Sequence, residues 1–461
     1  MTHNRLYNRC VIFALILIVG LGFALVLPWL ANAQSLAAQY EVDTPIINEP
    51  HRHQNSFADS LQESEAIIPN PPSPICFATH DNGATSPFSS TNATAVQQAV
   101  DAASPGDTVK VAGYCAGVQT RAGLTQTVYI SKRLTLEGGH TESDWTLEPD
   151  MDTYITTLNA DKGGRVVMVT GTANVTLDSF YLVGGLADDG TLDDSGGGIW
   201  SNSEMTLRNS NIYSNTATIF GGGMYNRLIS PVLTNVTFSG NLADSGGAMF
   251  NWGVYGFSSP ALTNVAFSGN SAIRNGGAMY NYGYLGNSSP IFTNVTFSGN
   301  YAGKDGGAMY NYGEQGNSVV QVYNSILWNN TDSSGSSTID ATIYNNSAVI
   351  ILTHSLAQGT GGSGSGTWPP SYVDGGGNID TDPMFIIPID PSTAPTTAGN
   401  LRLQSSSPAI DVGDNTYVAG IITDLDGEAR IIDGNLDGTP TVDMGAYEVQ
   451  IEEVYVPLIF R

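Results

Sequence analysis

Apolar and polar residues alternate in short runs through most of the chain. "TVKVAG", from Thr108, alternates as a strand does. "TVYISKRLTLEGG", "RVVMVTG", "NVTLDSFYLVGG" and "EMTLRNSNIYSN" follow. Each carries β-branched or aromatic residues and ends in Gly or Asn, as strands and their turns do. One helical period precedes them: Val96, Ala99, Val100 and Ala103 share a helix face. Thr91 or Asn92 can cap its start, and Ser104-Pro105-Gly106-Asp107 ends it. A short helix just before the first strand predicts a cap over an open sheet edge, which would otherwise template aggregation.

A longer pattern overlies the alternation. "GGAMYNYG" occupies residues 276–283 and again 306–313. "GGAMFNWG" at Gly246, "GGGMYN" at Gly221 and "GGGIWSN" at Gly196 are looser copies, and the starts fall 25, 25, 30 and 30 residues apart. A second phrase alternates with the first: "SPVLTNVTFSGN", "SPALTNVAFSGN" and "SPIFTNVTFSGN" end at Asn241, Asn270 and Asn300. A fixed period means one structural unit per repeat. The unit is too short for a β-α-β element and fits three strands of about 4–5 residues. The pattern therefore predicts an all-β, single-stranded parallel β-helix with a short N-terminal capping helix. Coils would lie about 4.8 Å apart, with equivalent residues stacked. Asn226, Asn251, Asn281 and Asn311 would form one amide ladder, and Asn241, Asn270 and Asn300 another. Met224, Met249, Met279 and Met309 would stack, as would Tyr225, Phe250, Tyr280 and Tyr310.

"TFSGN" and "AFSGN" after "GGAM" resemble the polymorphic outer membrane protein repeat, GGA plus an apolar residue and then FxxN, in three consecutive units. "SPAIDVGDN", "TDLDGEARIIDG" and "VDMGAYE" resemble the end of choice-of-anchor Q domain proteins, a bacterial, exported and surface-displayed family. The combined resemblance spans about residues 75–448. It implies a right-handed, pectin-lyase-like coil and an extracellular or outer-membrane-associated location. It implies no particular reaction.

Composition agrees with export. Of 461 residues 53 are Gly, only 13% are charged, and the net charge is −26. Arg5 and Arg9, the apolar run at residues 11–27 and Ala31-Asn32-Ala33 read as a secretory signal over 1–33. Without those two Arg, 14 basic residues face 42 acidic ones, a net of −28. Such a surface excludes nucleic acid and disfavours acidic polysaccharides unless a cation bridges them. Cys76 and Cys115 remain after the signal, an even pair that predicts a disulfide. The expected organisation is a linker over 34–74, a β-helix over 75–410 with its repeats over 196–335, an Asp/Gly-rich cap over 411–450 that closes the last coil, and an apolar tail over 451–461. The tail is too short to span a membrane, which needs roughly 20 residues.

Candidate chemistry is sparse. No His stands between His140 and His354, so the repeats hold no Ser-His-Asp arrangement. Asp244, Arg274 and Lys304 each lie two residues before a GGA and should stack. They are read as an exposed turn ladder, or as a polysaccharide lyase or hydrolase site. The 30-residue units carry inserts with Trp252, Tyr255, Phe257, Tyr282, Tyr284 and Tyr312. An aromatic strip there would bind a glycan or a protein of the cell envelope, or would shield the sheet. Asp433, Asn435 and Asp437 have the oxygen spacing of a calcium loop, with Asp443 one position early for its last ligand. The acidic "DDGTLDD" at 188–194 is a second place where Ca²⁺ is expected or a solvated loop stands. No cofactor is required by this reading. The function expected is a structural, adhesive rod, with a carbohydrate-active enzyme as the alternative.

Overall fold

The computed structural model describes residues 76–450 apart from 122, 172, 189, 191–193, 336 and 337. The expected signal peptide, linker and apolar tail lie outside the described residues, as do Asp189, Thr191, Leu192 and Asp193 of the acidic loop.

Each repeat forms one coil of a parallel β-solenoid. In the unit that starts at Gly246, Met249–Trp252 enters a nine-stranded sheet, Ala261–Ser268 a sixteen-stranded sheet and Ser271–Ala272 a five-stranded sheet. In the nine-stranded sheet every strand from Leu124–Ile130 to Ile343–Asn346 runs parallel, which gives eight successive coils. The register is the one the repeats demand: Met224, Met249, Met279 and Met309 pair in sequence, and so do Tyr225, Phe250, Tyr280 and Tyr310. The Met side chains are fully buried in the interior, while the ring beside each points outward, as strand alternation requires.

Polar side chains inside this core are paired with one another. Asn226, Asn251, Asn281 and Asn311 each donate through Nδ2 to the next Asn Oδ1, at 2.8, 2.7, 2.7 and 2.7 Å, the last to Asn345. Asn215, Asn241, Asn270 and Asn300 do the same at 3.2, 3.0, 2.9 and 2.8 Å, ending on Asn330. A buried amide left single would cost about 1–3 kcal/mol, so one coil's Asn commits its neighbours to Asn. The first Gly of each phrase is held by geometry as well. Gly276 has φ +67°, and a Cβ there would lie 2.2 Å from Met279 O.

A third column bends the long strands. Asn209, Asn235, Asn264, Asn294 and Asn324 all take left-handed φ, between 47° and 55°. Asn tolerates this conformation better than other non-Gly residues. His354 occupies the same place one coil later, with φ 45°.

Both ends are closed. The helix Thr94–Ala102 lays Ala95, Val96, Ala99 and Val100 on the first coil. Its buried Gln97 accepts from Tyr129 N at 2.8 Å and donates to Tyr129 O at 3.0 Å, doing for the edge what a further strand would do. Ala93, rather than Thr91 or Asn92, is the N-cap residue and lends no side-chain cap; Asn92 Oδ1, one residue before it, accepts from Thr94 N at 3.0 Å. Cys76 and Cys115 are joined in a disulfide that ties the antiparallel strand Cys76–Thr79 to Thr108–Ala116. At the far end Trp368 and Tyr372 pack on the core, and Tyr372 Oη donates to Ile343 O.

The Asp/Gly-rich C-terminal segment does not close the last coil. It runs back along the outer face of the sixteen-stranded sheet. Phe385, Ile389, Leu401, Leu403, Ile410 and Met444 form a second core with Ile326 and Leu356. Asn264 donates to Thr423 O at 2.7 Å, Thr296 Oγ1 accepts from Ala446 N at 3.0 Å, and Asn324 exchanges hydrogen bonds with the Asp414 backbone at 2.8 and 3.0 Å. The physical reason is twofold: Ile326 and Leu356 need cover, and the amides at the bends offer donors and acceptors that a strand partner does not use.

Candidate functional site

The inserts lie between the nine-stranded and the sixteen-stranded sheets, and only Tyr255, Phe257 and Tyr284 lie in them; Trp252, Tyr282 and Tyr312, expected there, end strands of the nine-stranded sheet. Trp252 and Tyr282 follow Arg227 in one outward column and continue into Tyr312. Trp252 is 8% and Tyr282 6% exposed. Their rings stand 5.1 Å apart, and Tyr282 and Tyr312 5.2 Å apart. Tyr284 and Tyr312 are half-buried against the same wall. These four rings shield the sheet together with Phe250, Tyr280 and Tyr310. Tyr255 and Phe257 are different. They stand out at 48% and 68% exposure, with Leu228 exposed close by. Tyr255 has left-handed φ, 55°, and meets the edge of Tyr284 at 6.4 Å. The presentable surface is therefore these two rings, of which Tyr255 touches the aromatic wall through Tyr284.

Asp244, Arg274 and Lys304 stack as their spacing demands. Arg274 N donates to Asp244 O and Lys304 N to Arg274 O, both at 2.8 Å. Arg274 Nε and Nη2 lie 2.7 and 2.6 Å from Asp244 Oδ2. A surface pair of this kind contributes roughly 0–1 kcal/mol. Two further acids join the corner. Burial, with the nearby Asp332 second, raises the Asp305 carboxyl above its ordinary range, and Lys304 opposes this.

The four calcium-spaced residues are not brought together around one point. Asp433 accepts from Asp437 N at 3.0 Å and Gly438 N at 2.8 Å, and Asn435 from Asp437 N at 2.9 Å. Their oxygens tie the turn to itself. Asp443 is buried elsewhere, accepting from Asp411 N and Val449 N at 2.8 Å each. Among the described residues no three His, Cys, Asp or Glu side chains cluster as metal ligands. In the acidic loop, Asp194 is buried.

Two charged groupings escaped sequence reasoning. Lys110, Glu137, Asp178 and Arg208 pair in register on four successive outward-facing positions. His140 Nε2 lies 2.8 Å from Glu137 Oε1, and that hydrogen bond holds Glu137 below the usual carboxylate range. A glycosidase acid needs the opposite shift. Arg208 Nε meets Asp178 Oδ2 at 2.6 Å, so the column neutralises itself. The residues lie before and at the edge of the recognisable repeats, and only a full register count would align them.

The second grouping is in the C-terminal segment. Arg430 is 1% exposed. It donates to Asp443 O at 3.1 Å and to Gly445 O, sits 3.7 Å from Glu448 Oε2, and, with the Asn294 amide assigned so that its oxygen faces the guanidinium, donates to Asn294 Oδ1 at 2.8 and 3.0 Å. Burial raises the carboxyls of Asp424, Asp443 and Glu448 and lowers Arg430. "TDLDGEAR", "VDMG" and "AYE" thus converge on one buried latch against the sheet.

The Chlamydia polymorphic membrane protein repeat matches residues 294–311. The match runs from the bend at Asn294 through the strand Tyr301–Ala302 to the interior Asn311, and so touches all three sheets within about one coil. No curated protein matches the chain.

Proposed function

We propose that this chain is an exported, surface-displayed β-solenoid whose insert edge adheres to a glycan or to a protein of the cell envelope. One observation carries the reading: Tyr255 and Phe257 are exposed on the insert, and Tyr255 meets Tyr284 of the stacked rings at 6.4 Å. Exposed rings on a preformed support lose little entropy on binding. The short match to a polymorphic membrane protein repeat supports surface display. The buried Cys76–Cys115 disulfide suits an oxidising compartment. Among the described residues no helix is long and apolar enough to cross a membrane.

A panel of neutral and acidic polysaccharides, with and without Ca²⁺, tests this, read for both retention and new chain ends. Retention that falls about tenfold in Phe257→Ala supports an adhesive edge. Retention unchanged in Phe257→Ala and Tyr255→Ala sinks it.

The second reading is a carbohydrate-active enzyme, and Asp305 favours it. A carboxyl raised by burial, beside Asp332 and Lys304, has the shift a general acid needs. New chain ends that vanish in Asp305→Asn or Lys304→Ala would establish that reading in place of the first.

A further inference from the structure

A separate concavity opens on another corner of the coils, where the strand Tyr301–Ala302 meets the returning C-terminal segment. Its volume is about 580 Å³, within the range of small-ligand sites. One wall is Tyr301 with Thr331, its neighbour on the next coil. The other is formed by residues 388–392. Asn329 Nδ2 donates to Ile389 O at 2.8 Å and ties the two walls together, so the groove is preformed.

The lining has a definite chemistry. Tyr301, Pro388, Ile389 and Pro391 supply apolar faces, and Thr331, Asp390 and Ser392 supply polar groups. Asp390 Oδ1 accepts from Ser392 N at 2.9 Å, which holds its carboxyl below the usual range and keeps it ionised. Among the described residues no Lys, Arg or His lines the groove. A carboxylate without a cation repels phosphates and uronic acids and accepts from hydroxyl groups. Apolar and aromatic faces beside such acceptors suit a sugar ring, which offers C–H faces and O–H edges together.

We infer that this groove binds a short neutral oligosaccharide, independently of the insert edge. The site exists only because the C-terminal segment folds back, so that segment has a binding role besides covering the sheet.

The experiment is saturation-transfer NMR on the purified full chain with cellotetraose, maltotetraose, mannotetraose and tetragalacturonate as probes. Binding of at least one neutral tetrasaccharide is expected, with tetragalacturonate silent. Tyr301→Ala and Asp390→Ala should each weaken it about tenfold. Ser392→Trp, which fills the groove from an exposed turn, should abolish it with an unchanged melting temperature. Phe257→Ala should leave it alone, which separates this site from the adhesive edge. No neutral binding, equal binding of tetragalacturonate, or binding lost in Phe257→Ala but kept in Ser392→Trp overturns the proposal.

Discussion

The interior amides show how a single residue type is propagated along the fold. Asn281 is 1% exposed and bonded to Asn251 above and Asn311 below. Asn281→Ala leaves Asn251 Nδ2 without its acceptor and Asn311 Oδ1 without its donor. We expect a loss of about 2–4 kcal/mol, read as a shift in the denaturant midpoint. The repeated Asn made these ladders legible from spacing alone. Exposure was not legible in the same way. Trp252 ends a strand and is covered by Tyr282, while Phe257, five residues on in the insert, is bare. The insert follows no strand period, so nothing in its letters says that Tyr255 and Phe257 stay exposed.

At the scale of elements, the disulfide and the latch act on opposite ends. Cys76 and Cys115 are 39 residues apart, and closing a loop of that length stabilises by about 4 kcal/mol in the chain-entropy model. Cys115→Ala should therefore lower stability by about 2–4 kcal/mol, with the same loss on adding reductant to the unmodified chain. The pairing was legible because only two Cys remain after the signal region. The latch was not, because its acids are scattered over residues 424–448 and share no period. Its pH dependence has a definite sign. Asp424, Asp443 and Glu448 hold protons in the folded state that the unfolded chain releases near pH 4. Their favourable contribution is complete below the unfolded values and is lost as pH rises through the raised ones. Limited proteolysis of the C-terminal segment should accelerate between about pH 5 and about pH 8. In Arg430→Met, which removes the buried hydrogen bonds to the Asp443 and Gly445 carbonyls at every pH, it should be fast throughout that range. A rate independent of pH in the unmodified chain would rule out the latch as the determinant.

Across the whole molecule, the coils are nearly interchangeable and the returning segment is not. Removing residues 221–245 joins Phe220 to Gly246, and the phrase that follows has the same register as the one removed. The interior ladders then close over the gap: Asn215 meets Asn270 in place of Asn241, and Ser201 meets Asn251 in place of Asn226. Removing residues 276–305 is equally neat for the coils, since Gly306 begins the identical phrase. It is not neat for the C-terminal segment, which touches three consecutive bends: Thr423 at Asn264, Arg430 at Asn294 and Asp414 at Asn324. With Asn294 and Thr296 gone, Asn324 rises by one coil, about 4.8 Å, and Thr423 and Asp414 can no longer both reach their partners. The shorter deletion takes away the packing of Thr396 and Thr397 on Gly240 but none of these three bends, so residues 414–448 should stay as protected from protease as in the full chain. The longer one should expose them, with cleavage at least about tenfold faster, while circular dichroism still reports parallel β structure in both. Equal protection after both deletions would mean that the segment reads no particular coil, and that repeat number alone decides what it covers.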